Sequence, residues 1–338
     1  MTGASLTVVV PARDAVATLP RCLDAVQAAL ARRGTCIVVD DGSSDDTAAT
    51  AGRHGATVVR RAKPGGPAVA RNAGIAHAKG AIVMFVDADV VVARDAVDRV
   101  LAAFEADPGL AAVFGSYDDT SSAGTLVSDY RNLLHHFVHQ RGNADSRTFW
   151  AGLGAVRRTV LDACGGFDER YERASIEDIA LGVRLASAGY RIRLDRDLRG
   201  THLKRWTFRQ MVYTDVTARA LPWSRLLLRE KSMPPDLNLQ WQHRASGLLV
   251  WSVAACAVVA TAVPTARAVS AVASVSALAG LVLLNVDFYR FLTRRRGVGF
   301  AAGAFPLHVL YYAYASGTFA WCCVEHLCSR AGRSTPTD

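Results

Sequence analysis

The chain is poor in the features that mark many common site types. It has no CxxC pair and no Cys/His cluster at zinc spacing, which excludes the usual structural zinc modules. Its seven cysteines (Cys22, Cys36, Cys164, Cys256, Cys322, Cys323 and Cys328) are odd in number, and three lie in or beside apolar segments. They read as reduced, small core residues of a protein that faces a cytoplasm. There is no Gly-Lys-Ser/Thr after a glycine-rich loop, so no Walker loop. The first apolar run is followed by Pro11-Ala12-Arg13 rather than Gly-x-Gly, which removes the dinucleotide fingerprint. The same turn lacks the Gly-rich, basic loop that a nucleotidyltransferase needs there. The N-terminal residues carry no basic region ahead of an apolar stretch, so no signal peptide is expected. No internal repeat is evident.

Acidic residues are scarce in one part of the chain only. Residues 1–200 hold 24 basic and 24 acidic side chains, whereas residues 201–338 hold 15 basic and 6 acidic. All of the +9 formal charge therefore lies C-terminal of residue 200. A nucleic-acid footprint would need a basic face on the folded domain, so no nucleic-acid partner is expected. The asymmetry suits a neutral soluble domain followed by a segment that meets an anionic membrane surface.

The first 200 residues alternate short apolar runs with helical patterns. Leu6–Val10, Cys36–Val39, Ala56–Val59 and Ala81–Val86 read as strands. Helical patterns follow the first run through about Ala31, and open at Gly65-Gly66-Pro67 and near Arg94. This alternation predicts an α/β fold with a mostly parallel sheet covered by helices. Ligands of such sheets sit beyond the carboxyl ends of the strands. Three strands would then send Pro11 to Asp14, Asp40 to Ser43, and Asp87 to Asp89 to one rim. Leu110–Phe114 and Phe149–Val156 read as further strands, the latter with glycines that suggest close approach of a ligand or backbone. Residues 116–148 read as polar and then helical, with Leu126, Tyr130, Leu133, Leu134, Phe137 and Val138 as the buried face. Ser175-Ile176-Glu177-Asp178 starts a helix that ends at Gly189.

From His202 the chain becomes basic and aromatic, with seven Lys/Arg against two acidic residues up to Lys231. That composition suits a helix lying among lipid headgroups. Residues 245–266, 268–286 and 297–324 are then uncharged runs of 22, 19 and 28 residues, each long enough for a spanning helix. Arg290 and Arg294 to Arg296 follow the second run, and the positive-inside rule places them and the soluble domain in the cytoplasm. The alternative for the first two runs is a buried core hairpin. The expected domains are 1–205 catalytic, 206–244 interfacial, 245–325 membrane with about three spans, and 326–338 a tail.

The rim residues have two readings each. Asp87 and Asp89 end an apolar run, where they could cap a helix or bind a divalent cation through carboxylate oxygens. Arg71 could be a solvated surface residue or pair with a carboxylate or diphosphate. Asp178 follows Ser175 by three, which is a capping-box spacing, and its carboxylate could equally serve as a general base. His202 beside a strand end could be structural or a metal ligand.

Taken together, the stretches 8–14, 38–47, 70–74 and 85–89, with Gly165-Gly166-Phe167-Asp168 and Glu177-Asp178, resemble family 2 glycosyltransferases of the GT-A fold in order and spacing. The resemblance covers about residues 5–205. It implies sugar transfer from a nucleotide-diphosphate donor, usually with inversion and with Mg²⁺ or Mn²⁺. On this resemblance Pro11, Ala12, Asp14 and Asp41 border the nucleoside, with Asp41 accepting from the base. Arg71 fixes the nucleotide and its neighbouring carboxylates, and Asp87 faces the ribose or donor sugar. Asp89 and His202 are the metal ligands, and Asp178 is the base. Glu177, Lys204, Arg205 and Trp206 lie on the acceptor side. The Gln-x-x-Arg-Trp motif of processive synthases is missing, which points to single-sugar transfer to a membrane-associated lipid or lipid-linked glycan. This implies a multi-pass protein of the plasma membrane working in envelope glycan or glycolipid synthesis. The alternatives are transfer to a polyprenyl phosphate, or a non-catalytic nucleotide-sugar-binding membrane scaffold.

Overall fold

The computed structural model describes residues 5–120, 123–230 and 240–331. The chain divides into two compact units: residues 1–124 with 135–205, and residues 125–134 with 206–338.

The first unit is a mixed α/β sheet. Its elements are β1 (Leu6–Ala12), α1 (Leu19–Leu30), β2 (Gly34–Asp40), α2 (Thr47–Arg53), β3 (Thr57–Arg60), α3 (Pro67–His77), β4 (Ile82–Val86), β5 (Val90–Val92), α4 (Ala96–Ala106) and β6 (Leu110–Tyr117). These are followed by α5 (Leu126–Arg141, its first turns in the second unit), β7 (Asp145–Ser146), β8 (Leu153–Arg157), α6 (Arg158–Cys164), α7 (Glu177–Ser187) and β9 (Arg191–His202). The strand order is β3-β2-β1-β4-β8-β6-β9-β5, with β7 on β9. From β3 to β4 the pairing is parallel, as the βα alternation implies. Beyond β4 the sheet is mixed: β8 runs antiparallel to β4 and β6, while β9 is parallel to β6 and antiparallel to β5.

Burial follows from this order. β4 is apolar and buried throughout, as a strand covered on both faces must be. In α1 the buried Leu19, Cys22, Leu23, Val26 and Leu30 recur at helical spacing, so one stripe meets the core that β1, β2 and β4 also line. The parallel register sets Ala12 beside Asp40 and Val9 beside Phe85, so the carboxyl ends of β1, β2 and β4 open on one edge. The strand expected over 149–156 begins at Leu153, and of the helical face expected over 126–138, Leu126 is exposed. Gly154 meets the prediction of close approach: a Cβ there would lie 2.6 Å from the Trp150 carbonyl oxygen and 2.7 Å from the Phe149 ring.

In the second unit, Thr207 caps α8 (Phe208–Tyr213) through a reciprocal box with Gln210. A π-helix (Thr214–Ala220) leads into α9 (Leu221–Glu230). α10 (Trp241–Ala262), α11 (Arg267–Leu284), α12 (Val286–Arg296) and α13 (Val298–Ala331) follow. Two helical stretches, Trp241–Ala262 and Pro264–Leu284, are long and apolar enough to cross a membrane, and only 17% of each is buried. Leu248, Trp251, Val258, Val272 and Leu283 point outward, which a buried core hairpin would not allow. The third uncharged run lies, from Val298 on, in α13, which contains Pro306 and the buried His308; it is not one of those two stretches. The expected end of the interfacial stretch at Lys231 and the tail beyond Ala331 fall outside the described residues.

Candidate active site

The β4 run ends at Asp87 because its backbone leaves the ladder there. The Asp87 N–H donates to the Gly152 carbonyl (3.1 Å), and the Val90 N–H donates back to the Asp87 carbonyl (2.9 Å). This tight turn faces both carboxylates of Asp87-Ala88-Asp89 toward the strand ends. β5 then pairs with β9 so that Val90 stands opposite His202. The Leu203 N–H donates to the Asp89 carbonyl at 2.8 Å. The pairing places His202 Nε2 3.4 Å from Asp89 Oδ2. Burial pushes the Asp89 carboxyl up, but the hydrogen bond and charge of His202 outweigh it and hold Asp89 below its ordinary range. The Tyr117 ring stacks on His202, centroids 4.2 Å apart and planes 10° from parallel, which fixes the imidazole's orientation.

Arg71 joins the donor edge to α7. It projects from α3 and is only 3% exposed. One guanidinium nitrogen donates to Asp87 Oδ1 and another to Glu177 Oε1, both at 2.7 Å. The guanidinium also lies over the Phe167 ring, 5.3 Å from its centroid. Burial lowers the Arg71 pKa, yet the flanking carboxylates more than reverse that and raise it. Asp87 stays above the ordinary carboxylate value, because desolvation outweighs the pull of Arg71. Glu177, expected on the acceptor side, is buried, and its second oxygen accepts from the Ser175 N–H at 2.8 Å. The capping-box alternative for Asp178 is not formed: the N-cap of α7 is Ile176, with no side-chain cap.

Asp178 is half-buried in the first turn of α7. Its Oδ2 accepts from the Ala151 N–H (3.0 Å) and its Oδ1 from the Ile179 N–H (2.8 Å). Desolvation, then the charge of Glu177, push its pKa up to about 7. The segment 150–152 thus holds Asp178 by Ala151 and Asp87 by Gly152. A carboxylate titrating near neutrality can accept a proton from a hydroxyl.

The nucleoside-side expectations divide. Asp14 is exposed with φ +46°, and its carboxylate accepts from the Ser44 N–H and hydroxyl, which holds its pKa low. Pro11 and Ala12 lie at the end of β1. Asp41 holds a loop: its two oxygens accept from Arg61 (2.7 Å) and from the N–H groups of Gly65 and Gly66 (2.7 to 3.0 Å), which anchors residues 61–66 at the end of β2. Beside it lies a cavity of about 370 Å³ lined by Asp40, Gly42, Ser43, Arg60, Arg61 and Ala62. Asp40 lies where the rim was expected; Arg60 and Arg61 are additions that the sequence reading missed, although a charged pair directly after a strand at this edge was a usable signal. Lys204 and Arg205 are exposed at the end of the first unit. Trp206 belongs to the second unit, where it is 5% exposed and its backbone N–H donates to the Ser128 hydroxyl at 2.8 Å.

Among the described residues no group of three His, Cys, Asp or Glu side chains could hold a metal alone. Asp89 and His202 offer one carboxylate and one imidazole directed at each other. That donor set fits Mn²⁺ or Mg²⁺ when substrate oxygens complete the coordination.

The profile of glycosyl transferase family 2 matches residues 7–165. An uncharacterized glycosyltransferase of Mycobacterium bovis is 34% identical over 201 residues, covering 57% of this chain and 84% of the relative. The pre-mycofactocin glycosyltransferase of Mycobacterium tuberculosis is 31% identical over 228 residues, covering 62% of this chain and 46% of the relative. Among solved structures, the mannosyltransferase PcManGT of Pyrobaculum calidifontis, in complex with GDP-Man and Mn²⁺, superimposes with a TM-score of 0.60 at 22% identity, over 89% of this chain and 86% of its own. The chain belongs to the family 2 glycosyltransferases and carries the GT-A fold.

Proposed function

We propose that this glycosyltransferase moves one sugar, with inversion, from a nucleotide-diphosphate donor to a hydroxyl of a membrane-associated acceptor. The observation that carries the reading is Asp178, a half-buried carboxylate with a pKa of about 7 held one residue along the backbone from the anchor of Asp87. The nucleobase occupies the cavity between Asp40 and Arg60, walled by the loop that Asp41 holds. Pro11, Ala12 and Asp14 border the nucleoside, and Asp87, oriented by Arg71, faces the ribose or donor sugar. Asp89 and His202 hold Mg²⁺ or Mn²⁺, which when bound neutralises charge on the leaving diphosphate.

The acceptor oxygen attacks the anomeric carbon while the bond to the diphosphate breaks, and the hydroxyl proton passes to Asp178 Oδ1 or Oδ2. One base and one displacement give inversion. The scaffold reading has no use for such a base. The GDP-Man and Mn²⁺ bound by PcManGT support the donor class and the ion. Residues 1–205 serve as the catalytic domain, 206–244 as the interfacial segment, and the two long apolar helices as the anchor in the plasma membrane with catalysis on the cytoplasmic side. Exposed Lys204 and Arg205 face the headgroups or an acceptor phosphate.

The test is calorimetric titration of Mn²⁺ with uridine, guanosine and thymidine diphosphate sugars. One donor binds the wild type. Asp89→Ala loses that binding, and unchanged binding would overturn the metal assignment.

A further inference from the structure

α13 carries the third uncharged run, yet its neighbours are not those of a spanning helix. Along its length it packs on charged segments of the second unit. Near its start, a Cβ on Gly303 would lie 3.3 Å from the Leu126 side chain, and the His308 and Tyr130 rings follow with centroids 6.2 Å apart. At mid-length the Tyr314 hydroxyl donates to Asp215 Oδ2 at 2.6 Å, where Arg131 and Arg219 also converge. Further on, the Cys322 thiol faces the Leu221 carbonyl at 4.0 Å, and Arg225 of α9 donates twice to Glu325, at 3.0 and 2.8 Å.

The length of this track decides its direction. From Gly303 to Glu325 the helix rises about 33 Å, at about 1.5 Å per residue. The hydrocarbon core of a bilayer is roughly 30 Å thick. If α13 crossed it, the segment around Arg131, the π-helix and α9 would cross alongside, and their charged groups would enter the hydrocarbon. Each charge near the bilayer centre costs on the order of 3 kcal/mol. Laid along the bilayer surface, the same helix keeps all of them at one depth. The α10–α11 hairpin agrees. α13 meets α10 over its first three turns, where His243 Nδ1 lies 2.9 Å from the Tyr312 hydroxyl and Trp251 Nε1 donates to Ser316 at 3.0 Å. Farther along the hairpin, Val258, Val272 and Val275 stay exposed.

Beyond Ser316 one face of α13 is apolar and uncovered. Trp321, Val324 and Leu327 are 66%, 55% and 65% exposed and recur every three residues, turned away from α9, which holds Cys322 and Glu325. An indole suits the level where acyl chains meet headgroups, because its body is apolar and its N–H is not. The exposed surface of α10 reaches α13 at Trp251, so the lipid around the hairpin continues over this face.

We propose that α13 does not span but lies in the headgroup layer beside α9, with Trp321, Val324 and Leu327 in lipid, so that its two ends and Arg225 share one face of the bilayer. This rests on α10 and α11 as the spanning hairpin. Two measurements on the full chain test it. In the first, green fluorescent protein or alkaline phosphatase is joined after Asp338 and the fusion is expressed in a bacterial inner membrane. A fluorescent protein folded in the cytoplasm and a silent phosphatase are expected; an active phosphatase would overturn the proposal. A membrane-impermeant maleimide should label Thr265→Cys, at the tip of the hairpin, above the wild-type level in sealed spheroplasts and not in inverted vesicles. Labelling from the cytoplasmic side would instead overturn the hairpin reading. The second measurement is emission of wild type minus Trp321→Phe in liposomes whose acyl chains carry bromine near the headgroup or near the chain end. Shallow bromine should quench this difference about twofold or more over deep bromine. Deep quenching as strong as shallow would overturn the proposal, and so would no quenching from either depth, since a second copy of the chain would then cover the face.

Discussion

Arg71 and Asp178 show how single residues at this edge are held in costly states. Arg71 is buried with two carboxylates on one guanidinium, and its Nε has no hydrogen-bond partner among the described residues. Removing it leaves Asp87 and Glu177 as uncompensated charges. Arg71→Ala is expected to cost roughly 3–5 kcal/mol of stability, read from denaturant unfolding. Asp178 sits the other way: its folded pKa of about 7 lies above the unfolded carboxylate value, so the folded state binds the extra proton. It therefore costs nothing below the unfolded pKa, and the penalty grows as pH rises to about 7. Asp178→Asn should melt above wild type at pH 8, with the difference fading toward pH 4. The same variant should bind donor and fail to transfer sugar. In wild type, kcat/KM should climb with pH through about 7. These residues were visible in the chain as charged groups after apolar runs. Their partners were not: Arg71 and Glu177 are 106 positions apart, and nothing local tells a buried ion pair from two solvated side chains. For the same reason the contacts of Asp41 with Arg61, Gly65 and Gly66 were not visible in the chain.

At the scale of elements, β9 decides whether the site exists. Its buried Ile192, Leu194 and Leu198 alternate with charged residues, a period-2 pattern that marks a strand. The pattern does not say that β9 lies parallel to β6 on one side and antiparallel to β5 on the other. Only that second pairing puts His202 beside Asp89. The β6–β9 contact depends on Gly115, where a Cβ would fall 2.0 Å from the Leu198 carbonyl oxygen. Gly115→Ala must push the strands apart, and a cost of about 1–3 kcal/mol is expected. Weaker Mn²⁺ binding should accompany it, because His202 moves with β9; paired thermal melts and calorimetry check both. The first four strands, by contrast, were legible because each is a short apolar run, and a helix follows each of the first three and returns the chain to the same side.

The whole chain holds two units whose boundary does not follow sequence order. Residues 125–134 belong with the C-terminal helices. Asp215, on the π-helix, takes Arg131 at 2.8 Å, Arg219 at 3.1 Å and the Tyr314 hydroxyl at 2.6 Å. Arg296 reaches Asp129 at 3.4 Å. A chain cut after residue 239 keeps Asp215 and Asp129 but loses Tyr314 and Arg296. It is expected to elute as aggregate in size-exclusion chromatography, while the full chain stays with membranes after a carbonate wash. By itself the sequence determined the αβ alternation, the rim of aspartates and the uncharged helices, since these depend on periodicity and charge within a few turns of chain. Only the tertiary structure decided which carboxylates are tied to Arg71, which pairing carries His202 to Asp89 and which backbone N–H groups hold Asp41 and Asp178. Those depend on strand order and register, which bring Arg71 to Glu177 across 106 positions and Asp89 to His202 across 113, residues whose local sequences carry no mark of one another.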